Sequence, residues 1–181
     1  MTRWLAVLAL AACRAPAPPP NNVARPSPPS VADAGATADA DYYESEALGP
    51  LHTRLTGDEI VKLLGATHGT GTMVQEGATG YWVTTWSWPG VEATVAAEQP
   101  AGPWSVRGVA VFAPSQFATR RGVHVGSTRA ELERAYARSI VRNDQQSDPT
   151  QYLVGSPYGG MLFELDDHDR VRRIAIDVFA F

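Results

Sequence analysis

Four side chains in one short stretch carry atoms that commonly bind metal ions in proteins. Asp166, Asp167, His168 and Asp169 offer three carboxylates and one imidazole, which are ligands for calcium and zinc. The stretch separates two segments that alternate as strands do, and aspartate there also satisfies the backbone of a tight turn. It lacks the glycine and the distal glutamate of a calcium loop. We therefore expect a hairpin turn, and neither a metal ion nor a cofactor.

The remaining candidates for catalysis are a glycine-rich loop and scattered histidines. The loop 65–72 follows a predicted helix and leads to a strand, whereas a phosphate-binding loop leads from a strand into the N-terminus of a helix. His52, His68 and His124 do not share a metal-binding spacing, and no Gly-x-Ser-x-Gly motif marks a nucleophile. The sequence thus predicts no catalytic residue and a non-enzymatic protein. An envelope hydrolase built from residues far apart in the chain remains an alternative.

Three tryptophans are candidate binding residues. Trp82, Trp86 and Trp88 have the same parity on one predicted strand, so their side chains point to one face of the sheet. One interpretation is a large core beneath the first helix. The other is an aromatic binding face, because tryptophan is enriched among the residues that dominate protein–protein binding energy.

Two arginines complete the candidate binding residues. Arg134 and Arg138 are one helical turn apart and lie away from the predicted apolar face that contains Leu132. Such a pair is either a solvated surface or a contact for an acidic partner or anionic lipid headgroups.

The only cysteine of the chain occurs at the end of a predicted signal peptide, residues 1–12. Arg3 precedes a short apolar segment, residues 4–10, which is too short to cross a bilayer as a helix, since that takes roughly 20 apolar residues. The four residues Leu10-Ala-Ala-Cys13 resemble the lipobox of bacterial lipoproteins. That resemblance implies lipidation of Cys13 after the signal is removed. Because Arg14 follows the cysteine rather than aspartate, it also implies the outer membrane, with the protein facing the periplasm or the surface.

The chain between Cys13 and the folded domain is predicted to be a disordered linker, residues 13–47. It is rich in proline and then in alanine and aspartate, a composition that cannot bury enough apolar surface to offset the entropy of ordering. The net charge of −4 provides no clustered basic footprint for nucleic acid. The expected partners are therefore the membrane, through the lipid anchor, and an envelope protein.

Residues 48–181 are predicted to form an α+β domain of two repeats. Thr56 with Glu59, and Thr128 with Glu131, have the spacing of capping boxes that begin short helices. Three alternating segments follow each helix, and they are typical of half-buried strands. These segments are 81–88, 91–98 and 104–112 in the first repeat, and 151–154, 160–165 and 171–178 in the second. Each repeat is thus a short helix followed by a three-stranded antiparallel sheet.

The pattern resembles two groups of proteins. Gly126-Ser-Thr128, Glu131-Leu132 and Tyr136 are similar to the turn–helix signature of the SmpA/OmlA outer-membrane-assembly lipoproteins and of the tandem-repeat fold of the β-lactamase inhibitor protein. The resemblance implies a shared scaffold rather than a shared chemistry. The function expected is that of a membrane-anchored envelope lipoprotein acting as a non-enzymatic protein-binding or scaffolding module. A sensor of a small ligand between the repeats is a further alternative to the hydrolase.

Overall fold

A computed structural model describes residues 46–141, 148–156 and 159–177 of the chain. The predicted signal peptide, Cys13 and all of the predicted linker before residue 46 lie outside the described residues. Glu46 and Ala47 are already buried, so the packed region reaches back at least to Glu46, slightly before the predicted start of the domain at residue 48.

Two helices form in the described part of the chain, and both begin at a predicted capping box. Helix α1 spans Gly57–Leu64 and helix α2 spans Arg129–Tyr136. At each N-terminus the threonine hydroxyl accepts a hydrogen bond from the backbone of the glutamate three residues later, whose carboxylate accepts one from the threonine backbone. These bonds satisfy N–H groups that have no partner within the helix.

The strands that the structure describes differ from the predicted segments by only a few residues, and three short strands were not predicted. The strands are β1 (Gly69–Thr70), β2 (Val74–Gln75), β3 (Trp82–Trp88), β4 (Val91–Ala97), β5 (Ser105–Phe112), β6 (Ile140–Val141), β7 (Gln151–Ser156), β8 (Gly159–Leu165) and β9 (Val171–Asp177).

The predicted fold of two repeats, each with its own three-stranded sheet, is wrong. The described strands form one nine-stranded sheet in the order β1-β3-β4-β5-β9-β8-β7-β6, in which β2 also pairs with β3. All of the strand pairs are antiparallel. The two halves of the chain meet where Gly108–Phe112 of β5 pairs with Arg173–Asp177 of β9.

The junction between β5 and β9 has a simple physical cause. A separate three-stranded sheet would leave the outer strand of each half with a row of unpaired N–H and C=O groups, which invites pairing with another chain. Antiparallel pairing of β5 with β9 satisfies both rows at once. Alternation in the sequence indicates which residues form strands, but it carries no information about which two edges meet.

One face of the sheet carries the hydrophobic core, and both helices lie on it. One row of paired residues crosses six strands of this face: Trp88, Val91, Val111, Ile174, Phe163 and Tyr152. Ile60 of α1 and Leu132 and Tyr136 of α2 are fully buried in the same core cluster. The ring centroids of Tyr136 and Phe163 are 5.3 Å apart. The opposite side of the sheet, called the open face below, consists of the residues that alternate with this core set.

Candidate functional site

Two of the three tryptophans proposed as binding residues lie in the contact between α1 and the sheet. Trp88 is buried, and its indole N–H donates a 3.0 Å hydrogen bond to the carbonyl oxygen of Gly65, the residue that ends α1. Trp86 is half-buried and packs against the core. Its six-membered ring lies so close to Gly57 that a Cβ atom there would come within 2.9 Å of it. Both tryptophans therefore help to seat α1 on the sheet.

Trp82 lies at the opposite end of β3 from Trp88, between Ala97 of β4 and Gln75 of β2. It is half-buried. Its neighbour Tyr81 is 39% exposed, and Val74 on the adjoining edge strand is 54% exposed. This end of the sheet thus presents aromatic and aliphatic surface to the solvent.

Sequence reasoning missed a fourth tryptophan in this region. Trp104 lies just before β5, and its ring centroid is 5.9 Å from that of Trp86. Its carbonyl oxygen accepts a 2.7 Å hydrogen bond from the backbone of Gly57. The close approach of Gly57 to the indole of Trp86 and to the Cβ atom of Trp104 explains why the first residue of α1 is a glycine.

The two proposed arginines are exposed at the end of α2. Arg134 is in the last turn of the helix, whereas Arg138 follows the capping residue Ala137 and is outside the helix. Both side chains are exposed. Within the described part of the chain, no hydrogen bond or ion pair joins either side chain to another residue.

The aspartate-rich stretch forms the turn between β8 and β9. One carboxylate oxygen of Asp166 accepts hydrogen bonds of 2.9 Å from the backbone N–H groups of both His168 and Arg170. The bond from Arg170 is the main cause of the lowered pKa of Asp166. The imidazole of His168 lies 2.7 Å from the carboxylate of Asp167, and both side chains are exposed. Because Asp166 already binds the backbone of the turn, the geometry is that of a hairpin.

His124 and Ser127 also serve local structure. The hydroxyl of Ser127 accepts a 3.1 Å hydrogen bond from the backbone of His124, and the His124 ring lies 2.9 Å from the carbonyl oxygen of Val125. These contacts fold the turn that leads into α2. His124 and Ser127 therefore help to position α2.

The open face is the feature that sequence reasoning did not identify as a site. One row of paired residues crosses six strands here as well: Ser87, Glu92, Ala110, Ala175, Leu162 and Leu153. The two alanines at the centre lie lower than the flanking side chains and are almost fully buried between them. A shallow depression of about 160 Å³ results, and its lining includes Gly108, Thr94 and Arg173.

The open face carries one acidic residue that is paired with arginines, Glu164, and one that is not, Glu92. Arg172 and Arg173 both bind the carboxylate of Glu164, at 3.0 and 2.9 Å, so this acid is neutralised by its neighbours. Glu92 is half-buried and lines the central depression. It forms no hydrogen bond or ion pair with another residue that the structure describes. Its carboxylate can therefore accept a hydrogen bond from an N–H group of a bound partner.

A second, larger cleft lies at one end of the sheet. It has a volume of about 450 Å³ and lies between Tyr81, Ala96 and the turn that joins β4 to β5, which contains Gln99 and Pro103. Ala96 belongs to the open face, since it pairs with Val83. The cleft therefore extends the open face toward the exposed side chains at the β2 edge.

Among the described helices, neither is long and apolar enough to cross a membrane. In comparisons with protein-family models, with curated proteins and with solved structures, nothing matches the chain.

Proposed function

We propose that the protein is a lipid-anchored protein of the bacterial cell envelope that binds a protein partner through the open face of its sheet and catalyses no reaction. Lipidation at Cys13 is proposed from the resemblance of Leu10–Cys13 to a lipobox, and an outer-membrane location from Arg14, rather than aspartate, after that cysteine. Anchoring at the amino-terminal end of a long linker leaves the folded domain able to meet other envelope proteins.

The observation that supports binding most is that, among the elements the structure describes, both helices cover the same face of the sheet. Both described helices pack on the core face, while the row from Ser87 to Leu153 lies on the other. Its central small residues allow another backbone to approach closely, and the half-exposed Leu153 and Leu162 offer apolar surface to bury. A face that crosses six strands is broader than a small ligand requires.

The chemistry of the open face fits a polypeptide partner. Small apolar side chains at the centre with polar side chains around them reproduce the core and rim of protein–protein interfaces. Glu92 at the edge of the depression is available to accept hydrogen bonds from backbone or side-chain N–H groups. Hydrogen bonds to a charged acceptor are stronger than neutral ones, so this residue is expected to fix the orientation of the partner.

The test of this interface is site-specific photocrosslinking in native membranes. A photoreactive amino acid at the exposed Thr85 of the open face should yield one discrete adduct, and the same amino acid at the exposed Asp58 of α1 should not. Introducing Ala110→Arg should abolish the adduct, because the new side chain fills the central depression. Ala130→Arg, at an exposed position of α2, is the matched control and should leave the adduct intact. An adduct that survives Ala110→Arg would exclude the open face as the binding surface.

The anchor is tested separately by Cys13→Ser. We expect this variant to leave the membrane fraction, because stable attachment requires the acyl chains that the cysteine would carry. Continued fractionation of Cys13→Ser with membranes would show that the lipobox interpretation is wrong.

A further inference from the structure

The core side of the molecule carries a group of basic residues drawn from three separate segments. We call them the basic band: Arg54, Arg120, Arg121, Arg134 and Arg138. All five side chains are exposed. They gather on one side of a chain whose net charge is −4.

Backbone contacts bring the first two segments together. Leu48 forms bridges with both Leu51 and Thr119, and the backbone of Gly49 donates a 2.8 Å hydrogen bond to Ala118. The turn closed by the bond from Gly122 to Thr119 therefore lies beside the segment that contains Arg54. Arg120 and Arg121 occupy the two central positions of this turn.

Arg121 joins the turn to the end of α2. Its guanidinium donates a 2.8 Å hydrogen bond to the carbonyl oxygen of Ala135 and lies 4.8 Å from the ring centroid of Tyr136. The bond satisfies one of the carbonyl groups left without a partner at the C-terminus of the helix. It also brings the turn beside the last turn of α2, where Arg134 and Arg138 extend into solvent.

Arg54 and Arg120, from two different segments of the band, both act on the same histidine, His52. Its pKa is lowered first by burial and next by Arg54, and Arg120 acts in the same direction. Glu59 opposes them, but its carboxylate is engaged in the capping box of α1. Glu131, three residues before Arg134 in the same helix, is likewise engaged in the capping box of α2. Neither acid forms an ion pair with the band.

We propose that the basic band binds the anionic phospholipid headgroups of the membrane surface. This is a second interaction surface, and it goes beyond the protein-binding function proposed above. A guanidinium matches the geometry of a phosphate with paired N–H donors. The arginines are spread over three segments and line neither of the two clefts described above, an arrangement that fits an extended charged surface rather than one small anion.

The proposal gives the domain an orientation. With the basic band against the headgroups, the core side faces the membrane and the open face points away from it, toward a partner. Each arginine near an anionic bilayer is expected to strengthen association about fivefold. At physiological salt a surface of this strength orients a domain that is already tethered, and at low salt, where charges are screened less, it should also hold the untethered protein on anionic vesicles.

The experiment uses residues 13–181 with Cys13→Ser, which omits the apolar segment 4–10 and the anchor but keeps every described residue. Sedimentation with vesicles of phosphatidylcholine and phosphatidylglycerol in low-salt buffer should bring the protein down, and added salt should release it. Vesicles of phosphatidylcholine alone should not bind. The double variant Arg134→Gln/Arg138→Gln should lower the partition coefficient about twenty-five-fold.

The matched control is Arg107→Gln/Arg172→Gln, which removes the same charge from residues paired with Glu76 and Glu164. It should bind like the parent protein, and circular dichroism would verify that both double variants are folded. Equal losses in the two variants, equal binding to uncharged vesicles, or no binding at low salt would each overturn the proposal. None of these results would alter the crosslinking from Thr85, so the two proposed surfaces are tested independently.

Discussion

At the scale of single residues, Gly90 shows how a close approach of two backbones dictates a residue type. It lies in the turn between β3 and β4 with a φ of +72°. A Cβ atom at this position would come within 2.5 Å of the backbone nitrogen of Ser115 and within 2.7 Å of the carbonyl oxygen of Phe112. The neighbours are backbone atoms, so they cannot move aside as a flexible side chain would.

We predict that Gly90→Ala lowers the free energy of unfolding by about 2–3 kcal/mol, the sum of a strained φ and a backbone collision. Gly122→Ala is the matched control, because Gly122 has a φ of +83° but nothing within 4 Å of an added Cβ. It should cost only about 1 kcal/mol. Urea unfolding of both variants measures the difference, and equal losses would show that the collision at Gly90 is relieved.

At the scale of elements, the two capping boxes are the strongest local determinants of structure. Each helix has only eight residues, which is too short for stability on its own, so its position depends on its ends and on packing. At the start of α2, Arg129 adds contacts beyond the box: its guanidinium binds Asp169 at 2.6 Å and the hydroxyl of Tyr152 at 2.6 Å. The helix N-terminus is thereby attached to the β8–β9 turn and to β7.

For the capping box of α2, we predict that Thr128→Ala costs about 1 kcal/mol of unfolding free energy, because a helix N–H group loses its acceptor. Thr128→Ser keeps the hydroxyl and should cost clearly less. Thermal or urea unfolding at neutral pH distinguishes the two variants. If serine and alanine were equally destabilising, the methyl group of Thr128 rather than its hydroxyl would be what matters.

The same box predicts a dependence on pH. The backbone and hydroxyl hydrogen bonds from Thr128 lower the pKa of Glu131 below its ordinary value of 4.5. A carboxylate with a lowered pKa in the folded state stabilises the fold above its ordinary pKa, and this contribution is lost as the pH falls through the folded-state pKa. In Glu131→Gln, stability should therefore decline less steeply below pH 4.5 than in the parent protein. The check is the free energy of unfolding of both proteins, measured at a series of pH values. If it declined equally steeply with falling pH in the two proteins, the prediction would be wrong.

At the scale of the whole molecule, the pairing of β5 with β9 makes one cooperative sheet from two halves of the chain. The four described tryptophans all belong to the first half, whereas Ile174 is fully buried in the second. It is opposite Val111 of β5 and Phe163 of β8. Tryptophan fluorescence therefore measures the unfolding of the first half of the chain, and it can show whether a substitution in the second half destabilises the first.

We predict that Ile174→Val lowers the unfolding free energy by about 1 kcal/mol, with equal shifts of the midpoint seen by fluorescence and by far-ultraviolet circular dichroism. Equal shifts follow because β5 and β9 share one hydrogen-bonded ladder and one core. Two separate sheets would instead leave the fluorescence midpoint unchanged.

The sequence by itself determined the features that depend on near neighbours in the chain. Thr56 with Glu59 and Thr128 with Glu131 located both helix starts, because a capping box closes within one turn. Alternation located the six long strands, because the side-chain period of a strand is two. The common parity of Trp86 and Trp88 showed that they share a face, but their contact with α1 depends on where that helix packs.

Only the tertiary structure decided how these elements combine. The junction of β5 with β9, the open face with Ala110 and Ala175 at its centre, and the union of Arg54, Arg120 and Arg134 in one surface all join residues far apart in the chain. Which strand edges meet is set by the total burial and pairing that each arrangement achieves. No local pattern carries that sum. The sequence alone indicated Arg134 and Arg138, but the open face and the grouping of these two arginines with Arg54 and Arg120 became visible only in the folded molecule.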